Sequence, residues 1–306
     1  MRLRHIEVFH AIMQAGSVSG AAQLLHISQP AVTKVLQHAE LQLGLQLFDR
    51  VRGKLVPTPE AQRLFIETEK LNRDLVAIRR LAAQLRSGGE ELLRVLATPA
   101  LGASVLPAAV TAWAKAFPAG RCQLATHHTR EIVSSLLLGE ADLGLSLQDP
   151  RHPGIHAEVL ASGDMMALCP RGSPESRQDG ALRLADLKSE LIAMAEDDPL
   201  GHQLANAFAA QDLHPVPRIS VQTYQLARSL VESGLGLSIV DPFTAAGCVA
   251  GGAAGERGPV VVRRVEPAIS VPLVLLVPAS RPLTQAGRRF VKLLTDSTRA
   301  SLARLA

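Results

Sequence analysis

The apolar residues of this chain change their period once, near Leu92, and that change constrains the fold more than any other feature. Up to Arg86, one short hairpin-like run at 47–56 apart, they recur at helical spacing. From Leu92 onward they come as short runs alternating with helical stretches. At roughly 150 residues per domain, 306 residues suggest about two domains, and the change of period marks where one gives way to the other. Charge divides at the same place. Residues 1–90 hold 12 Lys+Arg against 8 Asp+Glu, whereas residues 91–306 hold 20 of each. A basic first unit points to an anionic partner, and a neutral second unit does not.

Residues 3–15 read as an amphipathic helix carrying Ile6, Phe9 and Met13 on one face, ended by Gly16. Ser17 suits the N-cap of a second helix reaching about Leu25. After the turn His26-Ile27, Ser28 is read as the cap of a third helix, with a phosphate contact as its alternative role. Ile27 and Val32 stand where a hydrophobic staple would fix the entry angle, and Pro30 lies in the first turn, where a missing N–H costs little. Val32, Val35, Ala39 and Leu43 form the apolar stripe, while Gln29, Thr33, Lys34 and Gln37 lie on the other side. Two short helices joined by a tight turn, the second presenting polar side chains, describe a helix-turn-helix. Residues 47–56 read as a hairpin with a basic tip. Thr58 and Pro59 then open a long helix to about Arg86, with Leu64, Leu71, Ile78 and Leu85 seven residues apart. Such a seam is expected to dimerise, as in a coiled coil.

Beyond it, strand-like runs at 92–97, 122–126, 142–147, 164–169, 191–195, 218–222, 235–240, 259–264 and 271–277 alternate with helical stretches. Those stretches are 104–116, 129–138, 200–210, 224–233 and 284–302. The alternation predicts an α/β unit with mostly parallel sheets.

Ala21-Ala22, Leu24-Leu25, Ser28-Gln29-Pro30-Ala31-Val32, Glu40, Leu43-Gly44, Leu47-Phe48, Arg50 and Pro57-Thr58 together resemble the LysR-type transcriptional regulators. Gln62 departs from the glycine many members carry early in the linker helix. Segments 4–10, 48–54 and 236–245 look like the branch regulating lysine biosynthesis and opine use. The resemblance implies a multi-domain chain. An N-terminal all-α winged helix-turn-helix (1–58) is followed by a linker and dimerisation helix (59–88). A C-terminal α/β, two-lobed, periplasmic-binding-protein-like effector domain (89–306) completes it. Its first lobe would span about 89–160 and 268–306, its second about 161–267. It implies a DNA-binding regulator rather than an enzyme, with double-stranded DNA, a small-molecule co-inducer in place of a cofactor, and a homodimer or homotetramer. RNA polymerase is a further candidate partner.

On that reading the third helix enters the major groove. Gln29 suits adenine, Thr33 a base or a thymine methyl, and Lys34 a guanine or phosphate; Ser28, Pro30 and Gln37 complete the surface. Arg50, Arg52 and Lys54 on the wing suit backbone or minor-groove contacts. For the effector, the family likeness points to the loop after the first strand, Thr98, Ala100 and Leu101, although members often carry a hydroxyl where Ala100 stands. It also points to His128 and Thr129 and to Thr223 and Tyr224, each pair at a helix start; Thr129 is read as a cap, with effector contact as an equal alternative. Glu196, Asp197 and Asp198 either complement a helix dipole or form a cation-binding wall, and Asp241 is a second such candidate. An amino acid or basic amino-acid derivative is the expected ligand.

Other classes fare less well. No GxGxxG follows a strand, and Walker, HExxH and GxSxG motifs are absent from the sequence. His127-His128 lacks a third spaced ligand and reads as surface. Cys122, Cys169 and Cys248 are far apart and read as buried apolar thiols. A solute-binding protein or an amino-acid-related enzyme is the alternative. The N-terminus reads as an amphipathic helix rather than a signal peptide, no run is long enough to span a bilayer, and a cytoplasmic location is expected.

Overall fold

The computed structural model describes residues 1–25, 27–51, 54–86, 92–178, 180–195, 198–252 and 258–305, and the chain divides into two compact units, Met1–Arg86 and Ser87–Ala306. In the first, helix α1 (Leu3–Ala15) ends at Gly16, whose φ of 65° is left-handed and therefore favours glycine. The Ser17 hydroxyl accepts the Gly20 N–H at 3.0 Å and starts α2 (Val18–Leu24). Helix α3 (Gln29–Leu43) follows, ended by Gly44 at φ 67°. The Glu40 carboxylate then accepts the N–H groups of Leu47 (2.8 Å) and Phe48 (3.3 Å), which fixes where the wing begins. Strands β1 (Phe48–Val51) and β2 (Lys54–Pro57) pair antiparallel. Thr58 donates to the Gln46 carbonyl and accepts from Ala61, tying the wing to α4 (Pro59–Arg86). Val8, Phe9, Ile12, Ala21, Val32, Leu36, Leu47 and Ala61 make the core. Leu36 takes the central place that the predicted stripe gave to Val35, which is only half-buried.

The second unit opens with β3 (Leu92–Ala97), α5 (Pro99–Ser104), α6 (Leu106–Ala116), β4 (Arg121–Thr126), α7 (Thr129–Leu137) and β5 (Leu143–Ser146). The helix expected over 104–116 is thus preceded by a separate short one. Val105 is the joint between them, and Pro107, which lacks an N–H, stands in the first turn of α6 where that omission is tolerated. Strand β6 (Ile155–Asp164), unforeseen from the sequence, then leads into the second lobe.

That lobe comprises β7 (Met166–Pro170), β8 (Leu182–Arg183), β9 (Ile192–Met194), α8 (Pro199–Ala209), β10 (Ile219–Val221) and α9 (Tyr224–Glu232). It continues through β11 (Ser238–Val240), α10 (Pro242–Ala250) and β12 (Val260–Glu266). The chain returns through β13 (Ser270–Pro278) and closes with α11 (Gln285–Leu302). The first-lobe sheet has the order β4-β3-β5-β13-β6; the second has β11-β7-β12-β8, with β9 and β10 paired beside it. The sheets are mixed, not mostly parallel. Strand β13 runs antiparallel to both β5 and β6, and β7 antiparallel to both β11 and β12. The physical reason is the double crossing: one strand leaves the first lobe and its partner returns in the opposite sense. The crossings, at 164–166 and 266–270, are joined by the Met165 N–H to the Ile269 carbonyl at 2.8 Å.

Candidate functional site

Two regions carry the sequence-predicted residues. In α3, Gln29, Pro30, Lys34 and Gln37 are exposed, as expected of a surface that reads DNA. Ser28 occupies the N-cap position, yet its side chain accepts no first-turn N–H, so the expected cap is corrected to an exposed hydroxyl. The Thr33 hydroxyl donates to the Gln29 carbonyl at 3.1 Å, leaving its methyl and its lone pairs to a partner. Backbone pairing places Arg50 opposite Leu55 and Lys54 opposite Val51. Their side chains, and Arg52 and His26 altogether, lie outside the described residues. On α4, Leu71 and Ile78, one heptad apart, are 41% and 63% exposed, too apolar for a solvated face.

In the second unit a cleft of about 540 Å³ lies between the lobes, within the range of small-molecule sites. Thr98, Ala100, His128 and Thr129 line it from one lobe, and Asp198, Thr223 and Tyr224 from the other. The Thr98 side chain caps nothing, and its buried hydroxyl has no partner among the described residues. Thr129 is not the helix cap. His128 holds that position, its N–H donating to the Glu131 carboxylate at 3.0 Å, while the Thr129 hydroxyl bonds the buried Ser146 hydroxyl at 2.9 Å. Across the cleft the Thr223 hydroxyl accepts the Leu226 N–H and caps α9. Asp198 caps α8: one carboxylate oxygen accepts the Gly201 N–H (2.7 Å) and the Tyr224 hydroxyl (2.8 Å). Burial and the Asp198 charge push the Tyr224 phenol far up, so it stays a donor. The lobes also touch directly through the Gln225 side-chain amide, which donates to the Ala100 carbonyl at 3.2 Å.

Four sequence-predicted residues are not brought to this cleft or cannot be placed. Leu101 is fully buried in the core, because the turn after Pro99 points it inward. Asp241 is fully buried at the N-cap of α10, one oxygen accepting the Phe243 (3.0 Å) and Thr244 (2.9 Å) N–H groups. It does not line the cleft; a carboxylate followed by Pro-Phe-Thr is a capping signal, and capping took it inside. Glu196 and Asp197 lie outside the described residues. Arg130, Gln148 and Met194 line the cleft and were missed, and Gln222, which leads into the helix start at Thr223-Tyr224, lines it as well. Arg130, adjoining Thr129 at the start of α7, was within reach of sequence reasoning as a cation beside a predicted hydroxyl.

Among the described residues no group of three His, Cys, Asp or Glu could hold a metal, and no helix is long and apolar enough to cross a membrane. Burial raises the thiols of Cys122 and Cys248 to about 11 and that of Cys169 to about 12. Cys122 is only half-buried, against the expectation for all three.

Family models match both units: a bacterial regulatory helix-turn-helix protein of the lysR family over residues 3–62, and a LysR substrate binding domain over 86–299. The chain is 39% identical to the HTH-type transcriptional regulator DgcR of Pseudoalteromonas sp, over 81% of this chain and 85% of that one. It is 32% identical to the transcriptional activator protein LysR of Escherichia coli (strain K12), over 95% and 91%. Its fold is similar to that of full-length CbnR complexed with its target DNA, at a TM-score of 0.55 and 22% identity over 97% and 100% of the two chains. With both family models matched in order, and relatives this similar over most of their length, the chain belongs to the LysR family of bacterial helix-turn-helix transcriptional regulators, and it is not an enzyme.

Proposed function

We propose that this regulator reads DNA through α3 and is controlled by an amino acid or a basic amino-acid derivative bound between its effector lobes. The observation that carries the ligand class is the pairing of opposite charges across the cleft. Arg130, His128 and the start of α7 stand on one wall, and Asp198 on the other. A helix start with a cation and hydroxyls suits a carboxylate, and Asp198 suits an ammonium. The unpartnered Thr98 hydroxyl adds a donor at the carboxylate side. A population shift between lobe arrangements would carry the signal to bound DNA.

The DNA contacts belong to Gln29, Thr33, Lys34 and Gln37 at base edges, and to Ser28, Arg50, Arg52 and Lys54 at phosphates, with Pro30 shaping the helix start. Homodimers form through the α4 seam, and RNA polymerase is the downstream partner. Isothermal titration calorimetry with basic amino acids, neutral amino acids and aromatic acids tests the ligand class. Binding of an amino acid, weakened roughly tenfold or more by Asp198→Ala, is expected, as for loss of a charge-assisted contact. Binding of aromatic acids alone would sink it. A mobility shift on the DNA upstream of the protein's own gene, lost in Gln29→Ala, tests the reader.

A further inference from the structure

A second and larger concavity, about 1410 Å³, lies on the effector unit and shares no lining residue with the cleft. Both crossings border it, through Asp164–Met166 on one side and Glu266 and Ala268 on the other, and β12 and the end of α11 complete it. Its apolar wall includes Val249, Val262 and Leu302, none of which is fully buried. Among the described residues its charged groups are four guanidiniums, those of Arg171, Arg263, Arg264 and Arg304, against two carboxylates, Asp164 and Glu266.

Arg263 is the informative one. Its Nε is buried and has no acceptor among the described residues, and its Nη2 reaches only the Ser176 carbonyl at 3.4 Å. Glu175, a buried carboxylate of the same lobe, takes its own hydrogen bonds from Lys188 and Ser189. A buried guanidinium nitrogen left without an acceptor is costly, and an anion in the groove would supply one. Apolar side chains beside an excess of guanidinium charge fit a molecule with an apolar body and one anionic end.

We propose that this groove is a second ligand site, specific for a small organic anion such as a carboxylate on a hydrocarbon body. Because it touches both crossings, its occupant contacts the segments that set the angle between the lobes. The site is independent of the cleft and of what the cleft binds.

Calorimetric titration of the full chain with sodium octanoate tests it, with 1-octanol as the uncharged control. Saturable binding of one octanoate per chain is expected, weakened roughly tenfold or more in Arg263→Met, as for loss of a charge-assisted hydrogen bond. It is expected to be weakened also in Arg304→Met and unchanged in the cleft variant Asp198→Ala. Arg304 is exposed, so its replacement leaves folding intact even if Arg263→Met does not fold. Absence of saturable binding overturns the proposal. So does equal affinity for 1-octanol, an affinity indifferent to Arg304→Met, or loss of binding in Asp198→Ala.

Discussion

Asp241 shows what burial does to one carboxyl. Enclosed at the start of α10, it is pushed from 3.8 to about 6 by desolvation, although two N–H groups favour its charged form. Ionising it costs more in the folded than in the unfolded chain. Its contribution to stability is therefore fully present below about 3.8 and is lost as pH rises through 6. Asp241→Asn is expected to remove that loss, roughly 2 kcal/mol between pH 4 and 7.5 at 1.36 kcal/mol per pH unit. The difference between wild-type and variant denaturation midpoints across that window checks it, and parallel curves would refute it. Glu175 is the opposite case. It is equally buried, yet three donors from Lys188 and Ser189 hold its carboxyl below the usual range. Glu175→Gln is expected to cost about 2–3 kcal/mol in urea unfolding, because charge-assisted bonds become neutral ones. The two residues look alike in the sequence, as single acids near loops. Which one finds donors enough for its charge depends on backbone from elsewhere in the fold.

At the scale of elements, legibility followed local pattern. Helices α1 to α4 were readable because each carries its own periodic stripe and its own stop, such as Gly16 or Gly44 at positive φ. Strand β6 was not, because its alternation is poor: its burial runs as one buried position, four more open ones, then Leu160. It is held as an edge strand by nine pairings with β13, a strand too far along the sequence for local pattern to announce it. Helix α10 was hidden for another reason. It is apolar nearly all round, since it packs against α5 and α11 of one lobe and β7 of the other. Gly236 marks a second kind of constraint between elements. A Cβ there would lie 2.4 Å from the Glu190 carbonyl oxygen, on the backbone that receives the Leu237 N–H. Because the obstacle is backbone, Gly236→Ala is expected to lower stability by about 1–3 kcal/mol and to expose β11 amides to hydrogen exchange. Unchanged protection of Ser238 to Val240 would refute the steric argument.

At the scale of the whole molecule, the exposed Leu71 and Ile78 on α4 demand a partner surface. Ile78→Asp places a charge in the seam, so multi-angle scattering is expected to give a smaller assembly than wild type, with DNA affinity reduced because two half-sites are no longer bound together. An unchanged mass would remove α4 from the interface. The basic first unit and neutral second unit were visible in the charge count alone, and the family was visible in the motif from Ala21 to Thr58, because winged-helix packing depends on contacts among neighbours in sequence. The sequence by itself thus determined the two-part plan, the helix-turn-helix and the absence of enzymatic motifs. Tertiary structure alone decided which polar groups face the cleft. It buried Leu101 and Asp241, turned Thr129 toward Ser146, left Thr98 without a partner among the described residues and brought Arg130 and Asp198 to the walls of one cleft. The reason is that a cleft between lobes is assembled by strands that leave one sheet at 164 and return at 270, so its walls have no shared local pattern to read.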